Sequence, residues 1–255
     1  MQQEFPIVHI ERLVESGTGD PSTGSLTSEA LRRTCEHLAL MDATTPSVAT
    51  LAGGIVALAS ADTPFLLATS DPRVSSIQNW CNILVPQGFS SLLFVASDTF
   101  DRADTLRATD LPAATGSGMA VASMGVSGDP LVGLSVGELR RQLRESRDRL
   151  SEACGYPVRL LAPAPTPSGR AFDGLVLREA RRAGYSLFFS PGGVASIDSA
   201  EPPEPITYRS VEAGESVDEI CGWIAGDRLV RGASRLRRLL SSPRRFLDRF
   251  APSND

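Results

Sequence analysis

The sequence predicts an α/β fold: one distorted (β/α) barrel of about seven parallel strands over residues 1–225, followed by a C-terminal helical appendage over residues 226–255. Three observations predict it. The chain has 255 residues, 42% apolar and 22% charged, which is enough to bury one layered core and unlike a disordered or coiled-coil chain. Short apolar runs alternate with segments of helical periodicity, and that rhythm implies a parallel sheet with helical crossovers. About seven such runs occur, a number that favours closure into a barrel over an open sheet. Neither an internal repeat nor a linker divides the chain.

The elements follow in order. FPIVHI at residues 5–10 is a first buried strand. SLTSEALRRTCEHLALM then spaces Leu31, Cys35, Leu38 and Met41 on one helical face, with Thr27 as its N-cap. TPFLLAT is the second strand, and VSSIQNWCNILVPQG a helix stopped by Pro86 and Gly88. SSLLFVAS is the third strand. The polar, small-residue stretch from Asp101 to Gly118 predicts a loop, after which MAVASMG resumes a strand. Leu134 to Cys154 carries the strongest helical pattern, opened by a Ser135/Glu138 capping box and closed by Gly155 and Pro157. VRLLA, SLFFS and ITYRSV supply three more strands, with helices at roughly 173–183 and 216–225.

Composition excludes several chemistries. All 25 basic residues are arginine, so a Schiff-base enzyme and a lysine-bearing phosphate loop are excluded. Cys35, Cys81, Cys154 and Cys221 form no Cys-x-x-Cys pair and read as small buried hydrophobes. Only two histidines exist: His9 in an alternating strand and His37 on a helix face opposite Cys35, each read as structural. Gly116-x-Gly118 lacks the third glycine and leading strand of a dinucleotide loop, and Gly125, Ser127 and Gly128 do not make a nucleophile elbow. The apolar stretch LAGGIVALASA is too short to span a bilayer, and the N-terminus lacks a basic region followed by an apolar one, so a cytoplasmic location is expected.

The net charge of −5 is uneven. Residues 226–255 hold eight arginines against Asp227, Asp248 and Asp255, or +5, leaving −10 on the rest. An acidic body argues against nucleic-acid binding. In the tail, Leu229, Ala233, Leu236 and Leu240 share one helical stripe and Arg228, Arg231, Arg235 and Arg238 another. This basic amphipathic pattern suits docking of the leucines on the acidic barrel, and it also suits a protein partner or an anionic membrane surface met through residues 226–250.

Order and spacing along most of the chain resemble the polysaccharide deacetylases, the NodB-homology carbohydrate esterases. Pro6, Ile7, Val8, His9, Ile10, Glu11, Arg12 and Leu13 lie over the family's opening strand, with Glu11 where it carries histidine. Its Leu-Thr-Phe-Asp-Asp-Gly motif lies over Leu67, Ala68, Thr69, Ser70, Asp71 and Pro72. Its His-x-x-x-His segment falls on Met124-Gly125-Val126-Ser127-Gly128. LSVGELRRQLRESRDRLSEACGYPVRLLA is similar to the following Leu-Ser-x-x-Glu-Leu helix and Gly-x-Pro-Val-Arg strand approach, and Pro167, Ser168 and Gly169 stand for a Pro-Tyr-Gly turn.

The resemblance implies hydrolysis of an N-acetyl amide on a sugar by a divalent metal such as zinc, held by the second aspartate and both histidines, with the first aspartate as base. Here Ser70 replaces the base, Met124 and Gly128 replace the histidines, and Asp71 alone is retained. One carboxylate makes no tight three-ligand zinc site, and serine needs an activating neighbour to act. The chain therefore reads as a member without metal or catalysis: a carbohydrate-binding, regulatory or assembly component of a polysaccharide pathway, with Thr69, Met124, Ser127 and Ser168 as cleft candidates. The alternative is a divergent metal-dependent deacetylase acting through Asp71 and ligands not assigned. Asp71 also reads as the cap of a strand-end Ser-Asp-Pro turn.

Overall fold

The computed structural model describes residues 3–15, 22–52, 64–192, 195–197 and 205–225. The Arg-rich tail and most of LAGGIVALASA lie outside them.

In chain order the strands are β1 (Gln3–Phe5), β2 (Ile7–Ile10), β3 (Arg12–Val14), β4 (Ser25–Thr27), β5 (Leu66–Thr69), β6 (Ser91–Val95), β7 (Met119–Ser123), β8 (Leu160–Leu161), β9 (Leu187–Pro191), β10 (Ala195–Ile197) and β11 (Ile206–Ser210). The α-helices are α1 (Ser28–Leu40), α2 (Val48–Ala52), α3 (Val74–Leu84), α4 (Leu111–Gly116), α5 (Val136–Cys154) and α6 (Gly174–Ala183), and residues 217–225 are also helical. Seven strands close a barrel in the order β11-β2-β5-β6-β7-β8-β9, and every neighbouring pair is parallel. These are the seven apolar runs of the sequence. Parallel strands buried on both faces read as continuous apolar segments, which is why the runs were legible.

The period of two along each strand sorts the side chains. Ile7, Leu66, Ala68, Leu92, Phe94, Ala120, Ala122, Leu160, Ala162, Leu187, Phe189, Ile206 and Tyr208 pack together inside the barrel. Alanines from β5 and β7, with Ala162 just past β8, make room for Phe94, Phe189 and Tyr208, the large-against-small matching that fills a narrow lumen. The alternate residues, such as Val8, Ile10, Leu67, Leu93, Val95 and Val121, face outward beneath the helices.

Helix boundaries follow local chemistry. Thr27 Oγ1 accepts from Ala30 N at 3.1 Å to cap α1, Ser135 Oγ accepts from Glu138 N at 3.3 Å to cap α5, and Asp173 Oδ1 accepts from Val176 N at 2.8 Å to cap α6. The helix at 217–225 lies against α1, where the Cys221 thiol meets Thr34 O at 3.9 Å, and Arg209 stacks 4.4 Å over Trp223. Cys35, Cys154 and Cys221 are buried free thiols, and Cys81 is half-buried.

One expectation is corrected. Asp101–Gly118 is not a plain loop: Ala108–Asp110 forms a 3-10 turn that leads into α4, because Leu111 and Ala114 turn into the core and Pro112 fits a first helical turn. The sequence reading also had no counterpart for α2, whose Leu51 is fully buried with the lumen cluster, or for the three-residue pairs β1–β10 and β3–β4.

Candidate functional site

In a parallel barrel the loops after the strands gather at one end, and that mouth is where such folds place their chemistry. Here it is built by residues just beyond β2, β5, β7 and β11. His9, on β2, pairs in register with Ala68 of β5 on one side and with Ser210 of β11 on the other. Alternation points His9 into the lumen with Ile7, and Ser70 follows Leu66 and Ala68 to the same face.

The outcome is a row of polar groups across three adjacent strands. His9 Nε2 lies 3.1 Å from Ser70 Oγ, and His9 Nδ1 lies 3.2 Å from Ser210 Oγ. The ring stacks on Phe94 at a centroid distance of 5.2 Å and meets the Tyr208 ring edge at 5.0 Å. It is only 5% exposed, and burial pushes its pKa down to about 4, so the imidazole is neutral near pH 7. Burial, with the Glu11 carboxylate nearby, also raises the Tyr208 phenol.

Asp71 is placed differently. Its Oδ2 accepts from Leu13 N at 2.9 Å and from Arg73 Nη2 at 2.5 Å, and its Oδ1 accepts from Arg73 Nε at 2.9 Å and Arg73 N at 3.2 Å. Burial alone would push this carboxyl up, but the Arg73 guanidinium and the backbone N–H donors outweigh it and hold it below its ordinary range. Ser70 and Asp71 line a polar cleft of about 620 Å³ together with Glu11, Arg12, Ser22 and Ser25.

The other candidates scatter. Thr69 is buried and its Oγ1 accepts from Asp71 N at 3.2 Å, so it braces the turn. Met124 packs against the lumen cluster. Ser127 Oγ accepts from Asp129 N at 3.3 Å, and Ser168 shares a 2.9 Å hydroxyl contact with Thr166; each serves its own turn. Gln142 Oε1 accepts from Val126 N at 2.8 Å and Ser127 N at 3.3 Å and so fixes the loop after β7. Sequence reasoning missed His9 as the neighbour of Ser70 and Ser210 as the neighbour of His9. The signal was there in part, since period-two alternation puts Ile7 with His9 and Ile206 with Tyr208 and Ser210.

The barrel matches the Streptococcus pyogenes deacetylase PplD, solved in complex with acetate, at a TM-score of 0.75 and 16% identity, over 88% of this chain and 99% of that one. This is the polysaccharide deacetylase fold. A polysaccharide deacetylase from Bacillus cereus shares it at a TM-score of 0.73 and 15% identity, over 88% of this chain and 69% of that one. IcaB from Ammonifex degensii does so at 0.68 and 15%, over 87% and 97%. No protein-family model and no curated protein matches the sequence.

The deacetylase fold brings with it the question of a metal. The side chains at the places that the sequence resemblance assigns to the ligands do not fit one. Asp71 has both oxygens committed to Leu13 and Arg73, Met124 offers a soft thioether, and Gly128 offers no side chain. Among the described residues no three His, Cys, Asp or Glu side chains lie together in a ligating group.

Proposed function

We propose that this chain is a carbohydrate-binding component of a polysaccharide pathway, in a regulatory or assembly role, in which the metal-dependent deacetylase reaction is lost. The observation that carries this reading is the state of Asp71. A carboxylate that accepts four N–H contacts within its own turn and from β3 is a structural brace, and among the described residues no group of three His, Cys, Asp or Glu side chains forms around it. The cleft above it supports the carbohydrate part. Glu11, Arg12, Ser22, Ser25 and Ser70 present acceptors and donors of the kind that sugar hydroxyls satisfy. Residues 226–250 are assigned the further role of meeting a protein partner or an anionic membrane surface.

The test is a calorimetric titration of chelator-treated full-length protein with zinc and cobalt, beside Asp71→Ala, followed by N-acetylated oligosaccharides with acetate release monitored. No stoichiometric metal uptake, saturable oligosaccharide binding and no acetate are expected. Tight metal binding lost in Asp71→Ala, with acetate released, would establish a divergent deacetylase instead. Absence of oligosaccharide binding would remove the carbohydrate role.

A further inference from the structure

Ser70 has the neighbour that a serine needs to become reactive. We propose that Ser70, with His9 as its base, is the nucleophile of a metal-independent acyl-transfer site that takes O-acyl esters.

The geometry carries this. Ser70 Oγ and His9 Nε2 stand 3.1 Å apart, within the range of a nucleophile and its base. The opposite ring nitrogen faces Ser210 Oγ at 3.2 Å, so a third group orients the imidazole, as in other nucleophile, base and orienting-group arrangements. Phe94 and Tyr208 fix the plane of the ring. The two partners differ in access. His9 is buried, whereas Ser70 lies one residue past the end of β5, is half-buried and lines the polar cleft. A hydroxyl that only filled a core hydrogen bond would have no need of that opening. The neutral ring keeps one nitrogen as an acceptor near pH 7.

With the proton on Nδ1 donated to Ser210 Oγ, Nε2 takes the Ser70 proton while Oγ bonds to the carbonyl carbon of the ester. The tetrahedral adduct collapses, the bond from that carbon to the alcohol oxygen breaks, and the Nε2 proton passes to the departing alkoxide. This leaves acyl-Ser70 and a free alcohol. Water then loses a proton to Nε2 and attacks the acyl carbon, and Ser70 departs with that proton, so one ester and one water give one acid and one alcohol. Esters rather than amides are the class because a neutral ring and two hydroxyls supply no strong electrophile to polarise an amide. That the acyl group is carried by a sugar rests on the carbohydrate reading above; the reactivity of the pair does not.

The experiment treats the full chain, with chelator present, with p-nitrophenyl acetate and separately with a fluorophosphonate, and maps the modified peptide by mass spectrometry. Modification at Ser70, absent in Ser70→Ala and slowed about a hundredfold in His9→Gln, is expected from the usual contribution of a positioned base. The native chain is also compared with the same chain in denaturing urea, a control that needs no variant to fold. Labelling confined to other residues, an unchanged rate in His9→Gln, or a Ser70 rate no faster in the native chain than in urea would each overturn the proposal. Oligosaccharide binding is scored separately, so loss of the carbohydrate reading and loss of this one give different results.

Discussion

Asp71 and Arg73 are joined by two parallel contacts, Nε to Oδ1 at 2.9 Å and Nη2 to Oδ2 at 2.5 Å, and the same guanidinium reaches Leu13 O at 2.5 Å. One acidic side chain therefore ties the turn after β5 to β3. Asp71→Ala leaves the buried Leu13 N–H and the Arg73 N–H without acceptors, which costs about 2–3 kcal/mol. Asp71→Asn keeps an acceptor oxygen and costs less. Urea unfolding of the three proteins checks the order.

His9 makes stability depend on pH in a defined direction. Its pKa is 6.5 when free and about 4 in the fold, so between these values the unfolded chain binds a proton that the folded chain refuses. Stability from this group is complete above pH 6.5 and falls as pH drops toward 4. The shift corresponds to about 3 kcal/mol. Carboxylates titrate in the same window, so the measurement is a difference: wild type should lose about 3 kcal/mol more than His9→Gln between pH 7 and pH 4.

Barrel strands and long helices were legible because burial writes itself into residue order. FPIVHI and SSLLFVAS are apolar on both faces since one face fills the lumen and the other lies under helices. The helix α4 was not legible: Leu111 and Ala114 alone mark its buried side, too short a span for periodicity to register. Strands of three residues, such as β3 and β4, carry too few alternations to be read.

The candidate site was half legible. Ser70 and Asp71 were found from their place in a motif, but their partners were not. His9 reaches Ser70, 61 positions away, only because β2 and β5 pair with His9 opposite Ala68, and Leu13 reaches Asp71 across 58. Register between strands is a property of the closed barrel, and a single-strand pattern does not contain it.

The loop after β7 is tied to Val95, Ser97 and Asp98 through its backbone, and one side chain of α5 holds two of its amides. Gln142 on α5 accepts from two successive backbone N–H groups, Val126 and Ser127. Gln142→Leu keeps the bulk near Leu139 and Leu143 but leaves both donors unpaired, and about 2 kcal/mol of stability should be lost. Amide hydrogen exchange at Val126 and Ser127 should quicken well beyond that of the β7 amides; equal protection in the variant would show that the clamp lies elsewhere.

Gly128 stands where the resemblance asks for an imidazole, and its backbone opposes one. Its φ of +81° lies in the left-handed region, and a Cβ there would sit 3.1 Å from the Ala96 methyl. Gly133, at φ +91° with open space around it, has the same backbone demand without the contact. Gly133→Ala should therefore cost about 1 kcal/mol, the conformational part alone. Gly128→Ala should cost more, because Ala96 must give way on β6's trailing residue. Gly128→His inherits both penalties, so a Met124→His/Gly128→His protein should unfold at lower urea than wild type and still take up no stoichiometric zinc; tight zinc binding by that protein, read by calorimetry, would show that the mouth can rebuild a metal centre around Asp71.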